Sequence, residues 1–167
     1  VTQPEPWLRG ALPDVDPILA PVLFALQQAR EDLDRHTAGL STEAIWSRPG
    51  GVTSLGFHLR HIAGSLDRLT TYLLGRDLTD QQLAFLHAEK EPGASRDELL
   101  GDIVQALDGT EKAIRWLDTT RLTEPRTVGR KRLPTTVIGL AIHIAEHTQR
   151  HVGQAITTCR LLAGTQG

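Results

Sequence analysis

Apolar residues recur at helical spacing over four stretches of the chain. Val22, Leu26, Ala29, Leu33 and Leu40 follow one another at near-heptad intervals and predict a first helix over 17–38. Leu55, Leu59, Ile62, Leu66, Leu69 and Leu73 step by 4, 3, 4, 3 and 4 and predict a second. Leu99, Ile103, Ala106, Ile114 and Leu117 mark a third, ending near Thr119. Val137, Ala141, Ile144, Ala155, Cys159 and Leu162 step by 4, 3, 11, 4 and 3 along a fourth, over 135–163. Four long amphipathic stretches without a convincing strand predict an all-α fold. The expected architecture is a four-helix bundle with up-and-down connectivity and short extra helices in the connections. If neighbours alternate in direction, the second and fourth helices run the same way.

Polar residues and helix breakers punctuate the pattern. Residues 1–15 hold Pro4, Pro6 and Pro13 around Trp7 and read as an irregular lead-in. Asp16-Pro17 suits a helix start, and Pro21 is an alternative one. Gly39 can end the first helix, and Thr53 or Ser54 caps the second, which Gly75 stops. Ser41 to Ala44 begins a short turn of helix with Ile45 and Trp46 as anchors. Thr79-Asp80-Gln81-Gln82 and Ser95-Arg96-Asp97-Glu98 both match a capping box. The first opens a short helix over 79–88 with Leu83 and Leu86 inward and His87 at the surface. The second opens the third long helix, where Trp116 reads as another anchor. Residues 120–134, with Pro125, Gly129 and Pro134, read as the longest loop. Its Arg126, Arg130, Lys131 and Arg132 make it locally basic, a candidate for capturing an anionic substrate group. The chain reads as a single domain over 1–167, with a polar tail after Gly164.

The fourth stretch carries His143, His147 and His151, four residues apart, in one slanting row. At roughly 100° per residue, His151 falls on the apolar seam, His147 at its edge and His143 further round. A lone histidine on such a seam is ordinarily a hydrogen-bonded core residue, and His36 reads as a histidine favoured by a helix C-terminus. Two at i and i+4 facing one point are also the pattern of a divalent metal site. A third ligand must then come from elsewhere. The second stretch offers His58 and His61, one turn apart, with His58 nearer the apolar seam.

Composition narrows the chemistry. A length of 167 residues, net charge −2 and 23% charged residues describe an ordinary globular balance. No basic excess suits a phosphate backbone, so nucleic acid is not an expected partner. No apolar run approaches the ~20 residues that span a bilayer, and no secretory leader is legible. The one cysteine, Cys159, lies on an apolar seam and fits a reducing cytoplasm. No serine or cysteine site offers a convincing nucleophile, and no Gly-rich phosphate loop appears.

Arg48-Pro49-Gly50-Gly51, Ser54-Leu55-Gly56, His61-Ile62-Ala63-Gly64-Ser65 and His147-x-x-x-His151-Val152-Gly153-Gln154 together resemble the DinB/YfiT-like proteins, the small damage-inducible family. The resemblance runs from about Trp46 to Leu162. It implies a metal-dependent bundle, often dimeric, with one divalent ion held by His61, His147 and His151; His58 is the alternative from the second helix. Zinc or nickel is the expected metal. His143 belongs beside that set or at its mouth, and Gln154 and Arg150 are candidates for orienting ligands or substrate. Family members commonly have Arg where this chain has Val152. The implied activity is a low-molecular-weight-thiol S-transferase or a hydrolase acting on a small molecule, with Arg126, Arg130 and Arg132 as substrate-anion contacts. The alternative is a non-catalytic bundle, braced by metal, that binds a small ligand or partner.

Overall fold

The computed structural model describes residues 3–164. The first two residues of the lead-in and the tail at 165–167 lie outside them. The described residues form six α-helices, and with three short 3-10 turns they are 67% helical. The α-helices are α1 (Ala20–Thr37), α2 (Thr42–Trp46), α3 (Leu55–Leu73), α4 (Asp80–Ala88), α5 (Arg96–Arg115) and α6 (Val137–Gly164). Local chemistry sets the boundaries. Ser54 caps α3 by accepting from the Phe57 amide, and both capping boxes close as expected, at Thr79–Gln82 and Ser95–Glu98. Gly39 and Gly75 follow α1 and α3 with φ of 74° and 72°, a conformation in which a Cβ would be strained.

The expected loop at 120–134 is instead a β-hairpin, β1 (Pro125–Val128) with β2 (Leu133–Thr136). The pairing is antiparallel, Pro125 opposite Thr136 and Val128 opposite Leu133. Each strand is four residues long and begins at or next to a proline, so alternation had no length in which to show. Gly129 and Arg132, at φ 71° and 47°, turn the chain between them.

The buried apolar residues form a contiguous cluster that includes the four predicted seams. Each fully buried Leu or Ile contributes about 1.5–3 kcal/mol. On α6, Thr148 and Val152 fill the gap between Ile144 and Ala155, so the seam runs through them rather than through His151. Val152 is 1% exposed, a core residue where the family pattern would put a cation. Two expected inward residues fail. Trp116 is 81% exposed. In the lead-in Trp7 is also mostly exposed, its Nε1 donating to Glu5 at 2.7 Å. On α4 the inward residues are Gln82 and Phe85 rather than Leu86. Trp46 does anchor, its Nε1 donating to the Ala94 carbonyl at 2.8 Å. Cys159 is a small buried hydrophobe, and burial pushes its thiol up.

The helices do not alternate in direction as expected. Among the four long ones, α3 packs on α5 and α6, and α1 packs on α6 and α5. His58 meets His151 and His61 meets His147, so α3 and α6 are antiparallel. Thr70 bonds Thr110 at 2.8 Å and Arg60 acts on Glu98 and Asp102, so α3 and α5 are parallel. Arg96 reaches Thr37 and Arg30 pairs with Asp108, making α1 and α5 antiparallel. The cause is α4. Gln82 bonds Asp67 and Thr71 near one end of α3, and Glu89 bonds His61 further back. The chain thus returns along α3 before α5 begins, and α5 must repeat the direction of α3. No described helix is long and apolar enough to cross a membrane.

Candidate metal centre

The antiparallel contact of α3 and α6 brings histidines together at matching depths. One turn forward on α3 meets one turn back on α6. His61 Nε2 lies 3.1 Å from His147 Nε2. The His61 and His151 rings are 4.3 Å apart, and those of His147 and His151 4.7 Å. One nitrogen from each of His61, His147 and His151 lies within 4.8 Å of the other two. All three are half-buried, His147 and His151 at the edge of the α6 seam and His61 facing them from α3.

Each ring has a reason to face inward. His61 Nδ1 donates to Glu89 Oε2 at 2.7 Å, and Arg68 Nη2 pairs with Glu89 Oε1 at 2.8 Å. Burial pushes the Glu89 carboxyl up, but His61 and Arg68 outweigh it and hold it below the usual range. The ionised carboxylate therefore accepts the hydrogen bond from His61 Nδ1–H, which turns Nε2 toward the other rings. Phe57, one turn earlier, stacks on His61 with centroids 5.4 Å apart and planes at 14°. His58 is 6% exposed and faces His151, Nδ1 to Nδ1 at 3.4 Å. It stands behind His151 rather than beside His61 and His147.

Electrostatics keep the donors available. Burial, then the charge of His61, pushes His147 and His151 down to about 4. Burial, with His61, also lowers His58. Near neutral pH the two α6 rings are therefore unprotonated, the form a metal needs.

The remaining candidates fall into two groups. His143 is half-exposed one turn before His147, its ring 5.3 Å away, and donates to Glu146 at 2.7 Å. Arg150 pairs with the same Glu146 at 3.4 Å, and Gln154 is exposed. The arginines of the hairpin are not brought to the histidines. Arg126 Nε donates to the Leu73 carbonyl at 2.9 Å, capping the far end of α3, about 18 Å along the helix from His61 at 1.5 Å per residue. Arg132 lies 3.6 Å from Asp77, and Arg130 is exposed in the same turn. The expected placement of Arg126, Arg130 and Arg132 beside the histidines is not what is seen: Arg126 is held at the other end of α3.

Sequence reasoning missed Glu89, Arg68 and the part played by Gly64. A Cβ on Gly64 would stand 2.7 Å from Arg68 Nη1, 2.8 Å from Glu89 Oε1 and 2.9 Å from Phe85. Glycine there makes room for the carboxylate. Arg68 lies seven residues after His61, on the same stripe of α3, which was a legible signal. Glu89 had none: it sits in a charged connector 28 residues from its partner.

The DinB superfamily model matches residues 25–155. Two solved structures are similar over most of the chain. A conserved protein from Enterococcus faecalis has a TM-score of 0.71 at 18% identity, covering 87% of this chain and 96% of its own. A DinB-like protein from Bacillus cereus has a TM-score of 0.65 at 14% identity, covering 86% of this chain and 89% of its own. No curated protein matches the chain.

Proposed function

The chain belongs to the DinB superfamily, and from that premise we propose that its four long helices act as a four-helix bundle around one divalent metal ion. In this reading His61, His147 and His151 are the ligands, zinc or nickel is the metal, and the protein is a metal-dependent low-molecular-weight-thiol S-transferase or hydrolase acting on a small molecule. The observation that carries it is the pair of Nε2 atoms 3.1 Å apart, with all three donors within 4.8 Å. Tetrahedral bonds of 2.0–2.1 Å require donors about 3.3 Å apart, so small ring movements suffice. Imidazole nitrogen suits zinc and nickel alike.

A bound ion would supply Lewis acidity, holding a thiol as its thiolate or bringing the pKa of a water toward ~7. The chain's own residues do the rest. Glu89 fixes the His61 tautomer, His58 backs His151, and Phe57 covers one face of His61 against water. Three protein ligands leave room for a substrate atom. No side chain is assigned as nucleophile. A cytoplasmic homodimer belongs to the same proposal.

Elemental analysis of untagged protein tests it, with His61→Ala, His147→Ala and His151→Ala beside the wild type. About one metal per chain, lost in each variant, is the expected result. Thiol-dependent consumption of an electrophile, abolished by His151→Ala, is the expected activity, and no consumption with any thiol would count against it. A second reading is favoured by the network itself, since Arg68–Glu89–His61 and His58–His151 already join α3, α4 and α6. In that reading the histidines, with or without metal, only brace the bundle, and the protein binds a ligand without turning it over. A closed coordination shell, or equal stability without metal, would favour it.

A further inference from the structure

A small cavity is lined by Arg48, Thr53, Ser54, Phe57 and Lys90, with a volume of about 220 Å³. Phe57 is the wall shared with the metal centre, because its ring stacks on His61. Lys90 follows Glu89 directly. Arg60 donates to the carbonyls of Ala88 and Glu91 on either side of them, so the segment is pinned. Glu89 then turns inward to His61 and Arg68 while Lys90, exposed, lines the cavity.

The charge in this cavity is uncompensated by the protein. Neither Arg48 nor Lys90 forms an ion pair among the described residues. Arg48 is held by the carbonyls of Val52 and Gly51, both at 3.3 Å, which orient a guanidinium without neutralising it. The Ser54 hydroxyl accepts from the Phe57 amide at 3.3 Å and keeps its own proton to donate. Two cations, hydroxyl donors and an aromatic wall that stacks on His61 suit a short organic acid. Its carboxylate would meet Arg48 and Lys90, and its carbon chain would lie along Phe57.

We propose that this cavity is a carboxylate subsite, which anchors the anionic end of a small organic acid so that the other end reaches the three histidines. The proposal rests on the metal-centre reading only for the direction in which the bound molecule points. The subsite itself is a property of Arg48, Lys90, Ser54 and Phe57. It moves the anion-binding role from the hairpin to the connections before α3 and after α4.

The test uses the full chain, 15N-labelled, titrated with butyrate and with its neutral isostere butyramide. Butyrate is expected to shift the amides of Thr53, Ser54, Phe57 and Lys90 saturably, and butyramide to leave them in place. In the double variant Arg48→Gln, Lys90→Gln, which removes two exposed charges and the exposed bonds of Arg48 to Val52 and Gly51, the butyrate affinity should fall at least tenfold while the remaining spectrum stays folded. Absence of saturable shifts, equal shifts with butyramide, or an unchanged affinity in the double variant would overturn the subsite. Zinc titrated into the same samples separates the two readings. Failure of zinc to bind the wild type sinks the metal centre and leaves the butyrate result to stand or fall alone.

Discussion

Replacing Glu89 by Gln tests how the second helix presents its histidine. The side chain is 4% exposed and lies 2.7 Å from His61 and 2.8 Å from Arg68, which is itself largely buried. Glutamine keeps the size and one acceptor oxygen but removes the charge. Breaking a buried ion pair outright costs about 3–5 kcal/mol; with an acceptor retained, the expected loss for the metal-free protein is about 2 kcal/mol. For a chain of this size that lowers the melting temperature by about 4–8 °C. The larger consequence concerns His61. An amide can donate to Nδ1 as readily as accept, so the tautomer with a bare Nε2 is no longer enforced, and the ring loses basicity. Loss of such a partner weakens metal affinity by about 10–100-fold. Urea unfolding of metal-free protein gives the first number, and zinc competition against a chromophoric chelator gives the second. Unchanged zinc affinity in a variant that has lost the expected stability would refute the reasoning, because it would mean that Glu89 serves Arg68 alone.

Gly64→Ala should separate the same two roles differently. Alanine adds about 1 kcal/mol of helix propensity, but its Cβ stands under 3 Å from Arg68, Glu89 and Phe85. The expected outcome is a stability change within about 2 kcal/mol together with weaker zinc binding, measured as above. The pH dependence has a definite sign. His147 and His151 sit at about 4 in the fold against 6.5 when unfolded. The unfolded chain therefore binds more protons between those values, and stability present above pH 6.5 is lost as pH falls toward 4, by at most about 3 kcal/mol per imidazole. Urea midpoints across that range should fall for the metal-free wild type, and the slope should flatten in His147→Gln, His151→Gln. Arg126→Ala should lower stability by about 1 kcal/mol through loss of the Leu73 contact and leave zinc affinity unchanged; an effect on zinc would mean that the hairpin communicates with the site.

Much of the helical layout was legible because helices announce themselves locally. The seam of α3, the serine before it and the two capping boxes each lie within a few residues of what they control. The seam of α6 was legible at its ends and misread in its middle, where Thr148 and Val152, not His151, face the core. A tenth of a turn in phase decides whether a histidine lies on a seam or at its edge, and sequence spacing does not resolve that. The hairpin escaped because four-residue strands carry too little alternation.

The sequence by itself determined the long helices, the capped starts of α3, α4 and α5 and the register of His147 with His151 on one helix, since these follow from the 3.6-residue period and from capping. The start of α1 and the end of α5, where no side chain caps, fell three or four residues from their expected places. The sequence did not determine the direction in which the helices run, and so it left α3 and α6 parallel and the basic loop at 120–134 a candidate for a site mouth. Only the tertiary structure decided that α4 carries the chain back along α3. That return makes α3 and α6 antiparallel, selects His61 over His58 as the ring that meets both others, and delivers Glu89 to its far nitrogen. The physical reason is that local interactions fix what a segment becomes, while its partners are chosen by which faces can be buried together across long stretches of chain.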